Sequence, residues 1–117
     1  MKNIIVTGGA GFIGSHLVNR LLKEDYNVIV IDKLTYAGSL LNLPINSKRL
    51  KFFKFDISNK LRMNQVISRY KPIFFFNVAA ETHVDRSIEY PMNFVNTNIV
   101  GVVNILECLR KNLSNKN

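Results

Sequence analysis

The sequence predicts an α/β fold: a doubly wound parallel sheet with strand order 3-2-1-4. Three observations predict it. Short apolar runs alternate with stretches of helical periodicity along the 117 residues, and such alternation implies parallel strands joined by right-handed crossovers. The run Val28-Ile29-Val30-Ile31 is continuously apolar and β-branched, the pattern of a strand buried on both faces. A glycine-rich turn, Thr7-Gly8-Gly9-Ala10-Gly11-Phe12-Ile13-Gly14, lies between the first apolar run and the first helical pattern. That is the context in which such a turn carries meaning.

The elements follow in order. Strand one covers residues 2–7. Helix one covers residues 12–22, with Ile13, Leu17, Leu21 and Leu22 as its apolar face. Strand two runs from residue 27 to Asp32. Residues 34–47 form a loop with a short helical turn at 39–43, stopped by Pro44. Strand three covers residues 50–55, with Phe52 and Phe53 as core residues and Asp56-Ile57 at its carboxyl end. Ser58 is a suitable N-cap for a helix over 59–70, which Lys71-Pro72 breaks. Strand four, residues 73–78, is the most apolar stretch and leads into Ala79-Ala80-Glu81-Thr82-His83-Val84-Asp85-Arg86-Ser87. A long helix covers 91–111, with Pro91 near its first turn, and residues 112–117 form a polar, frayed tail.

In the expected strand order, ligands bind above the carboxyl ends of strands one and four, where the order reverses. The polar clusters fall at such ends: the glycines, Asp32, Asp56 and residues 79–87. This is a Rossmann-type arrangement. The turn must double back tightly and then meet a phosphate at contact distance, and the helix after it offers unpaired N–H groups and the positive end of its dipole. The glycines fit two registers. Gly9, Gly11 and Gly14 match G-x-G-x-x-G, the general dinucleotide fingerprint; Gly8, Gly11 and Gly14 match G-x-x-G-x-x-G. A βα turn that binds nothing could carry the same residues.

Asp32 lies 18 positions after Gly14, near the spacing of about 20 at which a carboxylate meets the adenosine ribose. It would accept from the 2′ and 3′ hydroxyls and repel a 2′-phosphate, favouring NAD over NADP. Lys33 beside it argues the other way, since a lysine there could pair with that phosphate.

Composition bounds the rest. At 47% hydrophobic residues the chain suits one globular domain over 1–117. No apolar run approaches the ~20 residues of a membrane span, and there is no signal-peptide shape at the N-terminus. Cys108 is the only cysteine, so no internal disulfide can form; a reducing cytoplasm is the simple reading, with Cys108 a small core residue. The net charge of +8 invites a nucleic-acid partner. The basic residues are scattered, however, and Lys48, Arg49, Lys51 and Lys54 sit in a loop and the strand after it. Solvated charge that suits an anionic cofactor and substrate is the better reading, with neither nucleic acid nor membrane as a partner.

Three stretches together resemble one family: the glycine turn through His16, Asp32-Lys33-Leu34-Thr35-Tyr36-Ala37-Gly38, and Ala79 through Ile88. They are similar to the dTDP-glucose 4,6-dehydratases, extended short-chain dehydrogenases/reductases acting on nucleotide sugars, whose G-x-x-G-x-x-G spacing the turn shares. The plant-type UDP-glucose 4,6-dehydratases are the nearest competitors; they usually carry glutamine at Glu81 and asparagine at Arg86. Other nucleotide-sugar epimerases and dehydratases share the turn, and a non-catalytic NAD-binding remnant would share it too. The sequence departs from the usual family pattern at Asn77-Val78, where histidine and leucine are common.

The resemblance implies NAD as cofactor and dTDP-glucose as substrate. Gly8, Gly11 and Gly14 form the turn, and Phe12 and Ile13 meet the pyrophosphate by their backbone. Asp32, Lys33, Leu34 and Thr35 hold the ribose, and Asp56 and Ile57 meet the adenine. Val78, Ala79, Ala80 and Glu81 line the nicotinamide side. Thr82 faces both cofactor and sugar, and Thr97 reaches the cofactor from the long helix. A helix threonine bonding back to a carbonyl is the alternative for Thr97. His83, Asp85 and Arg86 lack the spacing of a catalytic triad or metal site, so an orienting role fits them better.

The family reaction is an internal redox dehydration: C4 of the glucose unit is oxidised, the C5 proton and C6 hydroxyl leave, and hydride returns to C6, regenerating NAD. Its Tyr-x-x-x-Lys pair and acid–base residues do not occur in these 117 residues. The chain is therefore expected to be the cofactor part alone, with no catalytic residue and no metal site. Val95, Ile99, Val102, Leu106 and Leu109 recur at four-three spacing along the long helix, and Val103 and Ile105 widen the surface. One face must cover the sheet, and the surplus suits a partner helix in a homodimer.

Overall fold

A computed structural model describes residues 2–34, 40–79, 88–89 and 91–113. The chain groups into two compact units, Met1–Phe55 with Pro72–Val78, and Asp56–Lys71 with Ala79–Asn117. Among the described residues no helix is long and apolar enough to cross a membrane.

The first unit holds the sheet: β1 (Asn3–Thr7), β2 (Asn27–Asp32), β3 (Leu50–Lys54) and β4 (Phe74–Asn77). All pairs are parallel, in the order β3-β2-β1-β4. This is the expected order, and helices and strands alternate along the chain as expected. Ile5 pairs with Ile29 on one side and Phe75 on the other. The two central strands are sealed on both faces: Ile4, Ile5, Val6, Val28, Val30 and Ile31 are all buried. Such strands read as continuous apolar runs because neither face meets water.

The outer strands are less covered. Phe52 and Phe53 of β3, expected in the core, are half-buried, and Phe52 packs against the core. In β4 the exposure reaches 56% at Phe74 and 37% at Phe76. Among the described residues these strands are hydrogen-bonded along one edge only, so their side chains have neighbours on fewer sides.

Helix α1 (Phe12–Lys23) packs on the sheet through Gly14, Ser15, Val18, Leu21 and Leu22. The expected apolar face needs correction here. Ile13 is exposed and Leu17 only partly buried, while Val18 is fully buried. The cause is the contact at Gly14: a Cβ there would stand 2.1 Å from the Gly8 carbonyl oxygen. That approach points position 14 at the turn and carries 18 and 21 inward with it, four and seven residues on. Ile13 is rotated by about 100° to the outside. The expected helical turn in the following loop is present as one 3₁₀ turn, Leu40–Asn42, and Leu43 after it is buried in the core.

The second unit is helical: α2 (Lys60–Tyr70), α3 (Pro91–Val95), one wide π turn (Asn96–Val100) and α4 (Gly101–Leu113). The expected long helix is thus present but interrupted by a π segment, and it reaches Leu113. The cap of α2 is Asn59, not Ser58: the Asn59 side chain accepts from the Arg62 amide at 3.1 Å. Ser58 is occupied elsewhere, its amide and hydroxyl both donating to Asp56 Oδ1. Lys71, at φ 43°, ends the helix in the left-handed region.

Helices α2 and α4 meet along a seam of small and polar side chains. Asn104 Nδ2 donates to the Ile57 carbonyl (2.8 Å), Cys108 Sγ to the Lys60 carbonyl (3.8 Å) and Asn112 Nδ2 to Asn64 Oδ1 (2.7 Å). These donors recur every four residues, so one face of α4 steps down α2 turn by turn. Burial pushes the Cys108 thiol pKa up, as suits the expected core cysteine. The apolar stripe is elsewhere. Ile99, Val103 and Leu106 are exposed, and Val95, Val102 and Leu109 only partly buried. Small residues let helix axes approach closely, so they take the seam and leave most of the larger apolar side chains outside it.

Candidate functional site

The glycine turn is built by a short set of bonds. Gly8 takes φ 69°, a backbone state that L side chains rarely adopt. Its amide donates to the Ile31 carbonyl at 2.8 Å, which ties the turn to β2, and its carbonyl accepts from the Gly11 amide at 3.1 Å. Gly11 then precedes α1 in extended conformation. No side chain caps the helix there, and its first turn has no acidic residue. A helix start with no capping side chain and no acidic residue in its own first turn is suited to an anion. Phe12 and Ile13, whose backbone is expected to meet the pyrophosphate, are 77% and 70% exposed. The Phe12 ring rests edge-on against His16.

Asp32, at the carboxyl end of β2, reaches back to this turn. Its Oδ2 accepts from the Ala10 amide at 3.0 Å and its Oδ1 from the Leu34 amide at 2.8 Å. The sequence pointed to Asp32 as a ribose ligand only; the structure also makes it the clasp between turn and strand end. Each carboxylate oxygen carries a second acceptor site, so the two roles are compatible. Leu34 sits at φ 55° and packs its side chain on the core. Lys33 is partly exposed beside it.

Where β1 and β4 part, Thr7 Oγ1 donates to Asn77 Oδ1 at 2.5 Å, and the Val78 amide donates to the Thr7 carbonyl at 3.1 Å. This bond across the switch point was not foreseen. Its signal was available: Asn77 is the one polar residue in an otherwise apolar strand, at its carboxyl end. Val78 packs on the core and Ala79 is half-buried. The structure therefore brings Gly8, Gly11, Phe12, Ile13, Gly14, Asp32, Lys33, Leu34 and Val78 together at the carboxyl end of one sheet.

The remaining candidates divide. In the helical unit, Asp56 and Ile57 precede α2, and Thr97 is buried in the π turn. Thr35, Ala80, Glu81 and Thr82, with His83, Asp85 and Arg86, lie outside the described residues.

Known proteins resemble this chain in sequence and fold. The profile of the GDP-mannose 4,6 dehydratase family matches residues 5–117. The dTDP-glucose 4,6-dehydratase of Neisseria meningitidis serogroup B is 43% identical over 113 residues, 94% of this chain and 32% of its own. That of Salmonella typhimurium is 45% identical over 111 residues, 92% of this chain and 31% of its own. The chain thus spans about a third of the length of these relatives. Among solved structures, the dTDP-glucose 4,6-dehydratase DesIV of Streptomyces venezuelae, with NAD bound, superposes at a TM-score of 0.85 and 40% identity, covering 93% of this chain and 36% of that one. A UDP-glucose 4-epimerase of Thermotoga maritima, with UDP-glucose, gives 0.86 and 38%, covering 93% and 34%.

Proposed function

The chain belongs to the GDP-mannose 4,6 dehydratase family, and from that premise we propose that residues 1–117 are the NAD-binding domain of a dTDP-glucose 4,6-dehydratase. The observation that carries the reading is the clasped turn. Gly8 folds it back, Gly14 seats α1 against it, and Asp32 holds it through the Ala10 amide. The result is an uncapped helix start beside a carboxylate, which suits a pyrophosphate and a ribose diol. The names of the relatives support dTDP-glucose as substrate, and the ligand of DesIV supports NAD.

In this reading the amides of Phe12 and Ile13 bind the pyrophosphate, and Asp32 with Lys33, Leu34 and Thr35 orients the adenosine ribose. Asp56 and Ile57 take the adenine. The backbone of Val78, Ala79, Ala80 and Glu81, with Thr97, bounds the nicotinamide side, and Thr82 meets the sugar. The bound cofactor supplies a reversible hydride acceptor for the sugar. No acid–base residue is assigned to these 117 residues, so this chain by itself is expected to form no 4-keto product from dTDP-glucose. The exposed side chains Ile99, Val103 and Leu106 suit a helix-to-helix homodimer, and a reducing cytoplasm suits the buried thiol of Cys108.

Calorimetry with NAD and NADP tests the reading. NAD should bind more tightly, and Asp32→Ala should narrow the gap, since a hydrogen bond to a charged group contributes about 1.5–3 kcal/mol. Equal affinity of the unmodified chain for the two cofactors would refute the ribose assignment.

A further inference from the structure

Asn104 is a polar side chain on the buried face of α4, only 8% exposed, and nothing in the cofactor assignment uses it. Its Nδ2 donates to the carbonyl of Ile57 at 2.8 Å, a bond buried at both ends. One helical turn earlier, Gly101 leaves the space that the Ile57 side chain fills. A Cβ on Gly101 would stand 2.5 Å from Ile57 Cδ1 and from Cγ1. The two residues thus grip Ile57 from one face, Asn104 holding the Ile57 carbonyl and Gly101 making room for the Ile57 side chain.

Short-range bonds also shape the segment they grip. Asp56 Oδ1 accepts from the Ser58 amide at 2.9 Å and the Ser58 hydroxyl at 3.0 Å, and the Asp56 carbonyl accepts from the Asn59 amide at 2.8 Å. Those bonds shape the corner locally. Asn104 ties it by a buried bond to a helix 47 residues away. Once Asn104 is removed, the Ile57 carbonyl is left buried without this donor, and such a group relaxes toward a new partner.

We infer that Asn104, assisted by Gly101, is a positioning residue for the adenine end of the cofactor, setting the Asp56–Ile57 corner without touching the ligand. The inference rests on the reading that Asp56 and Ile57 take the adenine. Within the seam, Cys108 provides the control. It lies four residues on, on the same face, and bonds α2 at Lys60, past the corner.

The test compares Asn104→Ala with Cys108→Ala in the full 117-residue chain, by calorimetry with NAD, by thermal melting and by amide hydrogen exchange without ligand. Asn104→Ala should bind NAD about ten-fold more weakly, the effect of one buried hydrogen bond transmitted to the site. Cys108→Ala should lower the melting temperature while keeping NAD affinity within about two-fold. The Ser58 and Asn59 amides should exchange faster in Asn104→Ala and not in Cys108→Ala. If Asn104→Ala does not fold, Asn104→Ser carries the same comparison, since its shorter side chain cannot span to Ile57. Unchanged NAD affinity in the Asn104 variant, or equal losses in both variants, would overturn the positioning role. An unmodified chain that does not bind NAD would instead overturn the cofactor reading, and the role with it. Ser58 and Asn59 exchange that does not respond to Asn104 would overturn the anchoring of the corner, whatever NAD does.

Discussion

The first βαβ segment and the long helix bury themselves by opposite means. From β1 to β2, the buried set is mostly large and apolar: Ile4, Ile5, Val6, Val18, Leu21, Leu22, Val28, Val30 and Ile31. On α4 the buried set is Gly101, Asn104, Ile105 and Cys108, while Val103 and Leu106 stand in solvent. In the first region apolar surface drives the packing, at roughly 25 cal/mol per Å² buried. In the second, close approach and directed hydrogen bonds specify it, each bond contributing about 1 kcal/mol net. Hydrophobic periodicity marks what must be covered. It does not say which helix face meets the neighbour supplied by the same chain.

Substitutions can break this contrast, and the largest effect is expected at Gly14. Gly14→Ala places a methyl 2.1 Å from the Gly8 carbonyl oxygen, a backbone atom that cannot swing aside. The turn and α1 must then separate, at a cost on the order of 3 kcal/mol or more. Chemical denaturation should show that loss together with the loss of NAD binding; a Gly14→Ala protein of normal stability would contradict the packing described. Next is the pair Val18→Ala and Ile13→Ala. Val18 is fully buried and should cost about 2 kcal/mol. Ile13, at 70% exposure, should stay within about 0.5 kcal/mol of the parent. Equal costs would mean that the apolar face runs through Ile13 after all. The smallest effect belongs to Leu106→Ser on α4. Leu106 is 60% exposed, so unfolding at high dilution should shift by no more than about 0.5 kcal/mol. At high concentration, sedimentation should show less self-association than in the parent. A large stability loss at high dilution would place Leu106 in the core of the chain itself.

The fold was legible because its evidence is redundant. The central strands could be found from the run Val28-Ile29-Val30-Ile31 alone, and the glycine turn fixed where β1 ends and α1 begins. The choice of faces was less legible. Whether Ile13 or Val18 turns inward depends on the rotation set by Gly14 against Gly8, a contact between residues that carry no apolar signal. The cap of α2 was misplaced by one residue because Ser58 and Asn59 are both good caps, and Asp56 engages Ser58 first. The second role of Asp32 stayed hidden because spacing identifies a ligand position, whereas its bond to the Ala10 amide exists only once the turn has folded. The role of Asn104 was hidden for a related reason: one asparagine in a helix looks solvated until its partner, Ile57, is known.

The central claim is that the clasped turn receives the diphosphate of a dinucleotide, and amide-resolved NMR tests it most directly. The chain would be titrated with NAD while the amides of residues 8–16 are followed. The account predicts that Phe12 and Ile13 shift most among them, with Ala10 close behind through its bond to Asp32, and that all saturate at one ligand concentration. Unmoved Phe12 and Ile13 amides at a concentration of NAD that perturbs other parts of the chain would contradict it.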